Sequence, residues 1–454
     1  MDMSIFRAYD VRGVYGQSLT EEIMEKIGLA LATLMKSKNM GSDILVGADI
    51  RSSSPVLLEA FIRGATRGGL DVVNAGITSF GVALFSGWKL KKDVTAFITA
   101  SHNPSEWNGI KFYDKDCVGF FEDVNRELGE IVARGDFVQP DNVGLVSSVD
   151  MCDDYVRYLS DAFSVAKNID VVVDCGNGST SLSAPQTFSS VDNINPTVIF
   201  DNVDPLFSSR GPDVEAENLQ KLKDKVLETG AAFGVGFDGD GDRAGIVDDK
   251  GQILNSDQIA YVVAQSIFSE KKGTMVVNVE CSMAIERTLG EYGVKVLRIP
   301  VGHTFMMQKA RETGALLGEE NAFHFVLPEY FPFDDTIVIP LKIAEILSKC
   351  EKKLSEIVSE FPIYSKKRIS VDCSDDIKFE IIDRLKKRFS AQYEKDKVNI
   401  LDGVRVDFDE GWILVRASNT AQIIRITSEA VNEKIRDELS YKYKKIVEDE
   451  ISDI

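Results

Sequence analysis

The sequence has few of the residues that mark several common classes of protein. Histidine occurs three times in 454 residues, and the six cysteines include no Cys-x-x-Cys pair. Neither a zinc site nor a disulfide framework is therefore indicated. Lys and Arg number 52 against 72 Asp and Glu, a formal net charge of −20. Such an acidic chain is a poor partner for nucleic acid or an anionic membrane surface, and an anionic substrate would need a locally basic site.

Long apolar runs are also missing. No apolar stretch reaches membrane-spanning length, and residues 1–7 lack the pattern of a signal peptide. The sequence therefore predicts a soluble cytoplasmic protein. What the chain does contain is typical of a globular protein, with 44% hydrophobic residues, 34 glycines and only 12 prolines. Its length suggests about three or four domains.

Strand and helix patterns alternate along the chain. Residues 44–49 have the pattern of a strand, residues 55–68 that of a helix, and residues 70–74 that of another strand. Further strands are predicted over residues 94–98, 169–174, 232–237, 244–247, 274–278, 366–372, 411–416 and 421–427, and further helices over residues 155–166, 260–268 and 379–389 and after Asn432. New units begin near positions 151, 253 and 363. The alternation predicts α/β layers.

One polar loop carries a candidate nucleophile. Residues 99–104 read Thr-Ala-Ser-His-Asn-Pro, and residues 108–111, which we expect in the same loop, read Asn-Gly-Ile-Lys. The loop follows a predicted buried strand that Pro104 prevents from continuing. A serine at the end of such a strand is where α/β enzymes often hold reactive groups. An ordinary Ser/Asn/Pro turn is the alternative. All three histidines (102, 303 and 324) are expected in glycine- or charge-rich loops.

A second loop carries three carboxylates at alternate positions. Asp238, Asp240 and Asp242 are separated by glycines and followed by Arg243, so their oxygens can converge on one hard cation. A calcium loop of EF-hand type is one alternative. It fits poorly, because Arg243 stands where that loop needs glycine and the flanks have strand patterns. A simple Asp-Gly hairpin is another alternative, but it needs only one such pair. Three carboxylates leave an octahedral Mg²⁺ short of ligands, which a phosphate oxygen could complete.

These motifs together resemble one known family. Residues 99–104 with 108–111, residues 238–243, residues 6–13 (Phe-Arg-Ala-Tyr-Asp-Val-Arg-Gly) and residues 411–420 (Gly-Trp-Ile-Leu-Val-Arg-Ala-Ser-Asn-Thr) occur in the order found in α-D-phosphohexomutases. The resemblance spans essentially the whole chain. It is closest to the bifunctional phosphomannomutase/phosphoglucomutase branch.

The resemblance implies a fold and a reaction. The expected architecture is α/β with four domains, three similar α/β domains and a smaller C-terminal α+β domain of TATA-box-binding-protein-like topology. We place the domains at residues 1–148, 149–251, 252–363 and 364–454, carrying in turn the phosphoserine loop, the metal loop, the sugar-specificity loop and the phosphate loop. The implied reaction interconverts hexose 1- and 6-phosphates of mannose and/or glucose. It passes through a phosphoserine at Ser101 and a 1,6-bisphosphate, which also serves as activator.

The resemblance also implies roles for individual residues. One Mg²⁺ per chain would sit between the Ser101 phosphate and the carboxylates of Asp238, Asp240 and Asp242. Lys111 matches the family's general base and could act as one if nearby cations depress its pKa. His102 shapes the loop or polarises Ser101, and Arg243 faces the phosphoserine. Two residues of the 6–13 motif would also contact the site: Tyr9 and Arg12.

The non-reacting phosphate requires its own binding site. The matching residues offer a planar bidentate donor, hydroxyls and amides in a turn: Arg416, Ser418, Asn419 and Thr420. The family pattern usually continues Thr-Glu-Pro, whereas this chain has Ala421-Gln422. Arg425 either assists this loop or is an ordinary strand residue.

Sugar recognition is less well matched. Residues 318–324 read Gly-Glu-Glu-Asn-Ala-Phe-His, against the family pattern Gly-Glu-x-Ser-Gly-His. An ungapped match assigns Glu320 and His324 to the substrate, whereas a match on Gly318 assigns Glu319. His303, after Gly302, resembles a second specificity loop. Glu280 stands where the closest branch has a lysine.

Three hypotheses of function follow. The first is a mutase of mannose and/or glucose phosphates, working as a monomer or homodimer without nucleic-acid or membrane partners. The second is phosphoglucosamine or N-acetylglucosamine-phosphate mutation in the same fold. The third is a calcium-binding or regulatory relative without catalytic activity. An intact Ser101, Lys111 and aspartate triad argue against the third.

Overall fold

The computed structural model describes residues 2–418 and 421–453. Its strands form four sheets, which follow one another along the chain. We call the parts of the chain around these sheets units one to four. Short 3-10 helices occupy Met3–Ile5, Ser179–Leu182, Gly290–Tyr292 and Lys395–Lys397.

Unit one contains a six-stranded mixed sheet. Its elements are β1 (Val11–Val14), α1 (Glu21–Lys38), β2 (Asp43–Ala48), α2 (Ser54–Arg67), β3 (Asp71–Ile77), α3 (Phe80–Lys89), β4 (Val94–Ile98), β5 (Trp107–Asp114), α4 (Glu122–Arg134) and β6 (Val146–Ser148). The strand order is β1-β5-β4-β2-β3-β6. β4 is parallel to β2 and antiparallel to β5. Every residue of β4 is buried, as expected of an apolar strand covered on both faces.

Units two and three repeat one arrangement with four strands each. Unit two contains α5 (Cys152–Ala162), β7 (Ile169–Asp174), α6 (Ala184–Ser190), β8 (Ile194–Ile199), α7 (Gln220–Thr229), β9 (Phe233–Phe237) and β10 (Ala244–Asp248). Unit three contains α8 (Ser256–Glu270), β11 (Thr274–Asn278), α9 (Ala284–Leu289), β12 (Lys295–Ile299), α10 (His303–Thr313), β13 (Leu317–Glu320), β14 (His324–Val326), α11 (Val338–Ser348) and α12 (Leu354–Val358). Each sheet has three parallel strands and an antiparallel edge strand, β10 or β14.

Unit four differs from the others. It contains β15 (Ser365–Asp372), α13 (Lys378–Gln392), β16 (Val398–Asn399), β17 (Val404–Phe408), β18 (Gly411–Ala417), β19 (Ile423–Ala430) and α14 (Glu433–Ser452). All strand pairs in the order β15-β19-β18-β17-β16 are antiparallel. Side chains from α13 and α14 pack with one face of this sheet in a separate apolar core.

The apolar cores connect the units unequally. One core runs without interruption through units one, two and three. Within it the ring of Phe85 contacts those of Tyr155 and Phe331, at centroid distances of 5.5 and 6.0 Å. A second core lies between the sheet of unit one and its helices. Unit four meets unit three through a much smaller buried cluster: Val279, Met283, Trp412 and Leu414.

The predicted architecture is confirmed, with differences at the ends of elements. The strands predicted at residues 94–98, 169–174 and 274–278 have those limits. The helix predicted to reach residue 166 ends at Ala162, because Phe163 is extended. Among the residues described, no helix is long and apolar enough to cross a membrane.

Candidate active site

The candidate nucleophile lies just after β4. Ser101 is fully buried and has a backbone φ of +52°, in the left-handed region that side chains other than glycine seldom adopt. Its N–H donates to Thr99 Oγ1 at 2.8 Å. Because this conformation carries a strain cost, neighbouring contacts must hold it in place.

A buried arginine provides those contacts. Arg51, which follows β2, is 1% exposed, and its Nε donates to Asp49 Oδ2 at 3.0 Å. Its two Nη atoms donate to backbone carbonyls of the loop, at residues 101, 103, 104 and 107. Sequence reasoning missed Arg51. The only signal was an arginine two residues after an aspartate at a strand end, and nothing in the sequence shows what that arginine faces.

The three aspartates lie in the turn between β9 and β10. Asp238 Oδ1 accepts from the N–H groups of Gly241 and Arg243, at 3.0 and 3.1 Å, which curls the turn around its own carboxylates. One oxygen of each aspartate lies within 4.8 Å of the other two. All three side chains are buried. The flanking elements are strands, whereas an EF-hand requires helices, so the EF-hand alternative is excluded.

The serine of unit one meets the aspartates of unit two. Ser101 Oγ donates to Asp238 Oδ2 at 2.9 Å and lies 3.4 Å from Asp242 Oδ1. Burial and then the charge of Asp242 raise the pKa of Asp238 well above its ordinary value. Burial and Asp242 also raise the pKa of Asp240. A buried group of carboxylates that repel one another needs added positive charge, so these oxygens fit a hard divalent cation such as Mg²⁺.

Lys111 lies in a different setting from the one we expected. It is on β5 rather than in a loop, opposite Phe97 of β4. Its Nζ is 3.1 Å from Asp240 Oδ2 and contacts Asp242. Burial acts to lower the pKa of Lys111, but the two carboxylates outweigh it and the pKa is raised. The expectation that cations depress this pKa was wrong, because the nearest charges are anions.

His102 is held as a neutral ring. Arg243 Nη1 hydrogen-bonds to His102 Nδ1, and Ser101 Oγ lies 3.2 Å from the same nitrogen. Because arginine only donates, Nδ1 is an acceptor. Burial, with Arg243 and Arg12 nearby, lowers the pKa of His102 to about 2. His102 therefore accepts a hydrogen bond from Arg243 instead of carrying a proton.

The other two histidines share one carboxylate. The Nδ1 atoms of His303 and His324 each lie 3.0 Å from Asp334 Oδ2, and the two rings stack at 4.9 Å. His324 Nε2 accepts from Arg243 Nε at 3.1 Å. The expected loop positions were wrong, since His303 begins α10 and His324 begins β14. Asp334 was missed, because Phe-Asp-Asp at residues 333–335 gave no indication of its partners.

Tyr9 and Arg12 lie at one side of the cleft. Tyr9 Oη donates to the carbonyl of Val301 at 2.8 Å. A Cβ added at Gly302, whose φ is +136°, would meet the Tyr9 ring at 2.7 Å, so this contact requires glycine. Arg12 pairs with Asp10 at 2.7 Å and donates to Asn103 at 2.9 Å.

The structure separates the two candidate glutamates. Glu320 Oε1 accepts from Gly302 N–H at 2.9 Å, and Glu320 lines the cleft with Ala322. Glu319 points to the opposite face of β13, as successive strand residues do. It is fully buried near Asp257 and Cys281. Assigning Glu319 to the substrate was therefore wrong.

The expected phosphate loop follows β18. Arg416 lies between two carboxylates, with Nη1 3.5 Å from both Glu280 Oε1 and Asp402 Oδ2. Ser418 is buried, and its carbonyl accepts from Lys378 Nζ at 2.6 Å. Asn419 and Thr420, also assigned to this loop, lie outside the described residues.

These groups converge on a cavity of about 360 Å³. All four units contribute to its walls, among others through His102, Arg243, Glu280, Glu320 and Arg416. A neighbouring cavity of about 730 Å³ is lined in part by Tyr9, Arg12, Arg416 and Ser418. The cleft thus has His102 and Arg243, beside the Ser101 loop, at one end, and Arg416 with Glu280 at the other.

Comparison with known proteins identifies the family. Four domain models of phosphoglucomutase/phosphomannomutase match in order: α/β/α domain I at residues 3–139, domain II at 153–251, domain III at 255–364 and the C-terminal domain at 369–440. The chain belongs to the phosphoglucomutase/phosphomannomutase family. The predicted family and class of activity, an isomerase that transfers a phosphoryl group on hexose phosphates, are confirmed.

Individual members of this phosphoglucomutase/phosphomannomutase family resemble the whole chain. A phosphomannomutase/phosphoglucomutase of Pseudomonas aeruginosa is 34% identical over 435 residues, which cover 95% of this chain and 92% of the relative. A probable phosphoglucosamine mutase of Methanothermobacter thermautotrophicus is 33% identical over 436 residues, covering 95% and 94%. The solved structure of a family protein from Burkholderia thailandensis matches with a TM-score of 0.90 at 27% identity, covering 99% and 98%.

Proposed function

We propose that this chain interconverts the 1- and 6-phosphates of mannose and/or glucose through a phosphoserine at Ser101 and a hexose 1,6-bisphosphate. One observation carries the proposal. The buried Ser101 hydroxyl of unit one donates to Asp238 of unit two, 137 residues away, and the adjacent His102 lines a cleft to which all four units contribute. Three buried carboxylates beside one hydroxyl offer oxygen ligands to a hard cation, and a phosphoryl group on that hydroxyl would add a further oxygen ligand.

The transfer step asks mainly for positioning and charge neutralisation. Mg²⁺, one per chain, held by Asp238, Asp240 and Asp242 would neutralise phosphoryl charge. Arg51 fixes the backbone around Ser101, so its Oγ stays directed at Asp238. Lys111 is charged where it lies, and we assign it first to neutralising charge next to the phosphoryl group. To accept the proton of the sugar hydroxyl, it must first lose both its carboxylate contacts and its own proton.

The rest of the cleft handles the sugar and its second phosphate. We assign Glu320, which lines the cleft, to sugar hydroxyls. His324 bonds Asp334 and Arg243 through its two ring nitrogens, so it would support the site together with His303. The guanidinium of Arg416 suits a phosphate, and Ser418, Asn419 and Thr420 are proposed to complete that contact. Because the bisphosphate carries a phosphate at each end, it can return a phosphoryl group to Ser101. Added hexose 1,6-bisphosphate should therefore activate enzyme that has lost its phosphoserine.

A coupled assay tests the proposal. Glucose, mannose and glucosamine 1-phosphates are supplied with Mg²⁺ and a trace of 1,6-bisphosphate. We expect turnover of a hexose phosphate, and loss of nearly all activity and of the ³¹P phosphoprotein signal in Ser101→Ala. Ser105→Ala, four residues further along the same loop, is the control and should keep both. Absence of turnover on all three sugars would overturn the proposal.

Glucosamine phosphate is a second candidate substrate. Relatives described as probable phosphoglucosamine mutases match at nearly the same identity as the phosphomannomutase/phosphoglucomutases, 33% against 34%. Glu280 also places a carboxylate in the cleft, which suits an amino sugar. The ratio of kcat/KM for glucosamine 1-phosphate to that for the neutral sugars decides between the two.

A further inference from the structure

Three arginines of unit four share one face of its sheet. Arg416 of β18 lies directly opposite Arg425 of β19, and Arg368 of β15 lies opposite Thr427 of β19. Since residues 425 and 427 of one strand point the same way, the three arginines project from the same face. All three line the 360 Å³ cavity, whereas neighbouring apolar residues such as Ile424 face the core.

This arrangement has an electrostatic cost. Like charges directly opposite one another weaken a pair of strands. Burial and then the guanidinium groups of Arg368 and Arg416 lower the pKa of Arg425. An anion placed among the three groups would remove that repulsion.

A carboxylate of unit three supplies part of the compensating negative charge. Glu280 Oε2 accepts a hydrogen bond from Arg368 Nη2, and Glu280 Oε1 is 3.5 Å from Arg416 Nη1. Asp402 Oδ2 lies at the same distance from Arg416. Over residues 2–418 and 421–453, no carboxylate lies within ion-pair distance of Arg425. The cluster therefore keeps one uncompensated positive charge, on a side chain that faces the cleft.

We propose that Arg368 and Arg425 bind the non-reacting phosphate of the substrate together with Arg416, and that Glu280 stays paired with Arg368 and Arg416 until the phosphate arrives. The identity of the ligand as a sugar phosphate rests on the proposed function. A phosphate dianion that displaces Glu280 leaves three guanidinium groups facing the dianion and Asp402, so the charges balance. Planar guanidinium groups suit this ligand, since each can donate two parallel hydrogen bonds to phosphate oxygens.

The proposal differs from a purely structural role for Glu280. If Glu280 only tied unit three to unit four, removing its charge would loosen the cleft and weaken phosphate binding. If Glu280 competes with phosphate, removing its charge strengthens binding, while removing Arg425 weakens it. The two variants should thus shift affinity in opposite directions.

Calorimetric titration with inorganic phosphate and with glucose 6-phosphate measures these shifts. We expect Glu280→Gln to bind both ligands about tenfold more tightly and Arg425→Gln about tenfold more weakly, the size of a single charge interaction at a half-buried site. Arg425→Lys should recover part of the lost affinity, which would show that misfolding does not cause the weaker binding of Arg425→Gln. Arg384→Gln is the matched control, since Arg384 is an exposed arginine of the same unit paired with Glu380.

Each outcome decides between the alternatives. Opposite shifts support the inference even if no mutase turnover is found, in which case only the proposed function fails. Weaker binding by Glu280→Gln overturns the inference, as does unchanged binding by Arg425→Gln, even in an enzyme that turns over hexose phosphates normally.

Discussion

The two ends of the cleft are held in different ways. At the Ser101 end, the reacting groups are buried and fixed by hydrogen bonds to backbone, inside units that share one core. At the Arg416 end, the groups are held by ion pairs on a unit that meets unit three through a small apolar cluster. In the proposed reaction, the atoms that exchange bonds are therefore kept in place, while the groups assigned to the other phosphate can release it. A bisphosphate that must turn around needs both properties.

A buried carboxylate, that of Glu429, adds hydrogen bonds to the small apolar cluster between units three and four. Glu429 Oε1 accepts from Ser282 Oγ, Met283 N–H and Trp412 Nε1, at 3.0, 3.0 and 2.8 Å. Glu429 is 2% exposed, so these bonds are shielded from water. Polar contacts therefore carry much of the attachment of unit four, and Arg405 adds two more by donating to the carbonyls of Val279 and Cys281.

The largest effect is expected from Arg51→Gln. It leaves Asp49 without its buried ion-pair partner and four loop carbonyls without donors, at a cost of about 3 to 5 kcal/mol in the free energy of unfolding. Activity should fall to near background, because the strained backbone at Ser101 loses its support. Urea unfolding and the coupled assay measure both. Arg63→Gln, an exposed arginine on the nearby α2, is the control; a similar small cost in both variants would contradict the assigned role.

A smaller effect is expected from Trp412→Phe. Phenylalanine keeps an aromatic ring at this buried position, although a smaller one, and Glu429 loses one buried donor, at a cost of about 1 to 3 kcal/mol. Because Trp412 lies in the small apolar cluster between units three and four, amide exchange should rise in residues 365–418 and 421–452 and stay unchanged in residues 94–111. KM for the hexose phosphate should rise more than kcat falls. Uniform destabilisation of all units would show that the two ends are not held separately.

A buried carboxyl group of unit three gives a pH-dependent effect. Burial and then the charge of Asp257 raise the pKa of Glu319 well above 4.5. The folded chain therefore binds this proton more tightly than the unfolded chain, so the contribution of Glu319 to stability falls as pH rises above 4.5. Glu319→Gln should be more stable than the parent at pH 8, by on the order of 1 kcal/mol, with little difference at pH 4.5. Thermal unfolding across this range measures the difference, and a gap that narrows with rising pH would refute the assignment.

The smallest effects are expected at exposed ion pairs. Lys26→Ala in unit one and Arg384→Ala in unit four each break a solvent-exposed pair four residues apart. Each should change the free energy of unfolding by less than about 0.5 kcal/mol. If either variant lowers the free energy of unfolding as much as Trp412→Phe does, buried contacts are not more important to stability than exposed ones.

The sequence predicted those parts that local patterns determine. Apolar runs bounded by polar turns gave the limits of β4, β7 and β11, and the motifs around Ser101 and Asp238 gave the two loops that meet. The charge around Lys111 was predicted with the wrong sign, because spacing does not show which side chains face one another across two units. Arg51 and Asp334 were missed for the same reason, since their partners are distant in sequence. The choice between Glu319 and Glu320 as the residue that faces the cleft depended on the alternation of side chains along β13.

The register of the fourth sheet has a consequence for folding. Shifting β19 by one residue against β18 would turn Arg425 toward α13 and α14, and Ile424 and Ile426 toward water. Burying an unpaired guanidinium group in that apolar layer is so costly that such a mispaired sheet cannot persist. Arg425, which we assign to phosphate binding, thus also favours the native register of the fourth sheet before any ligand is present.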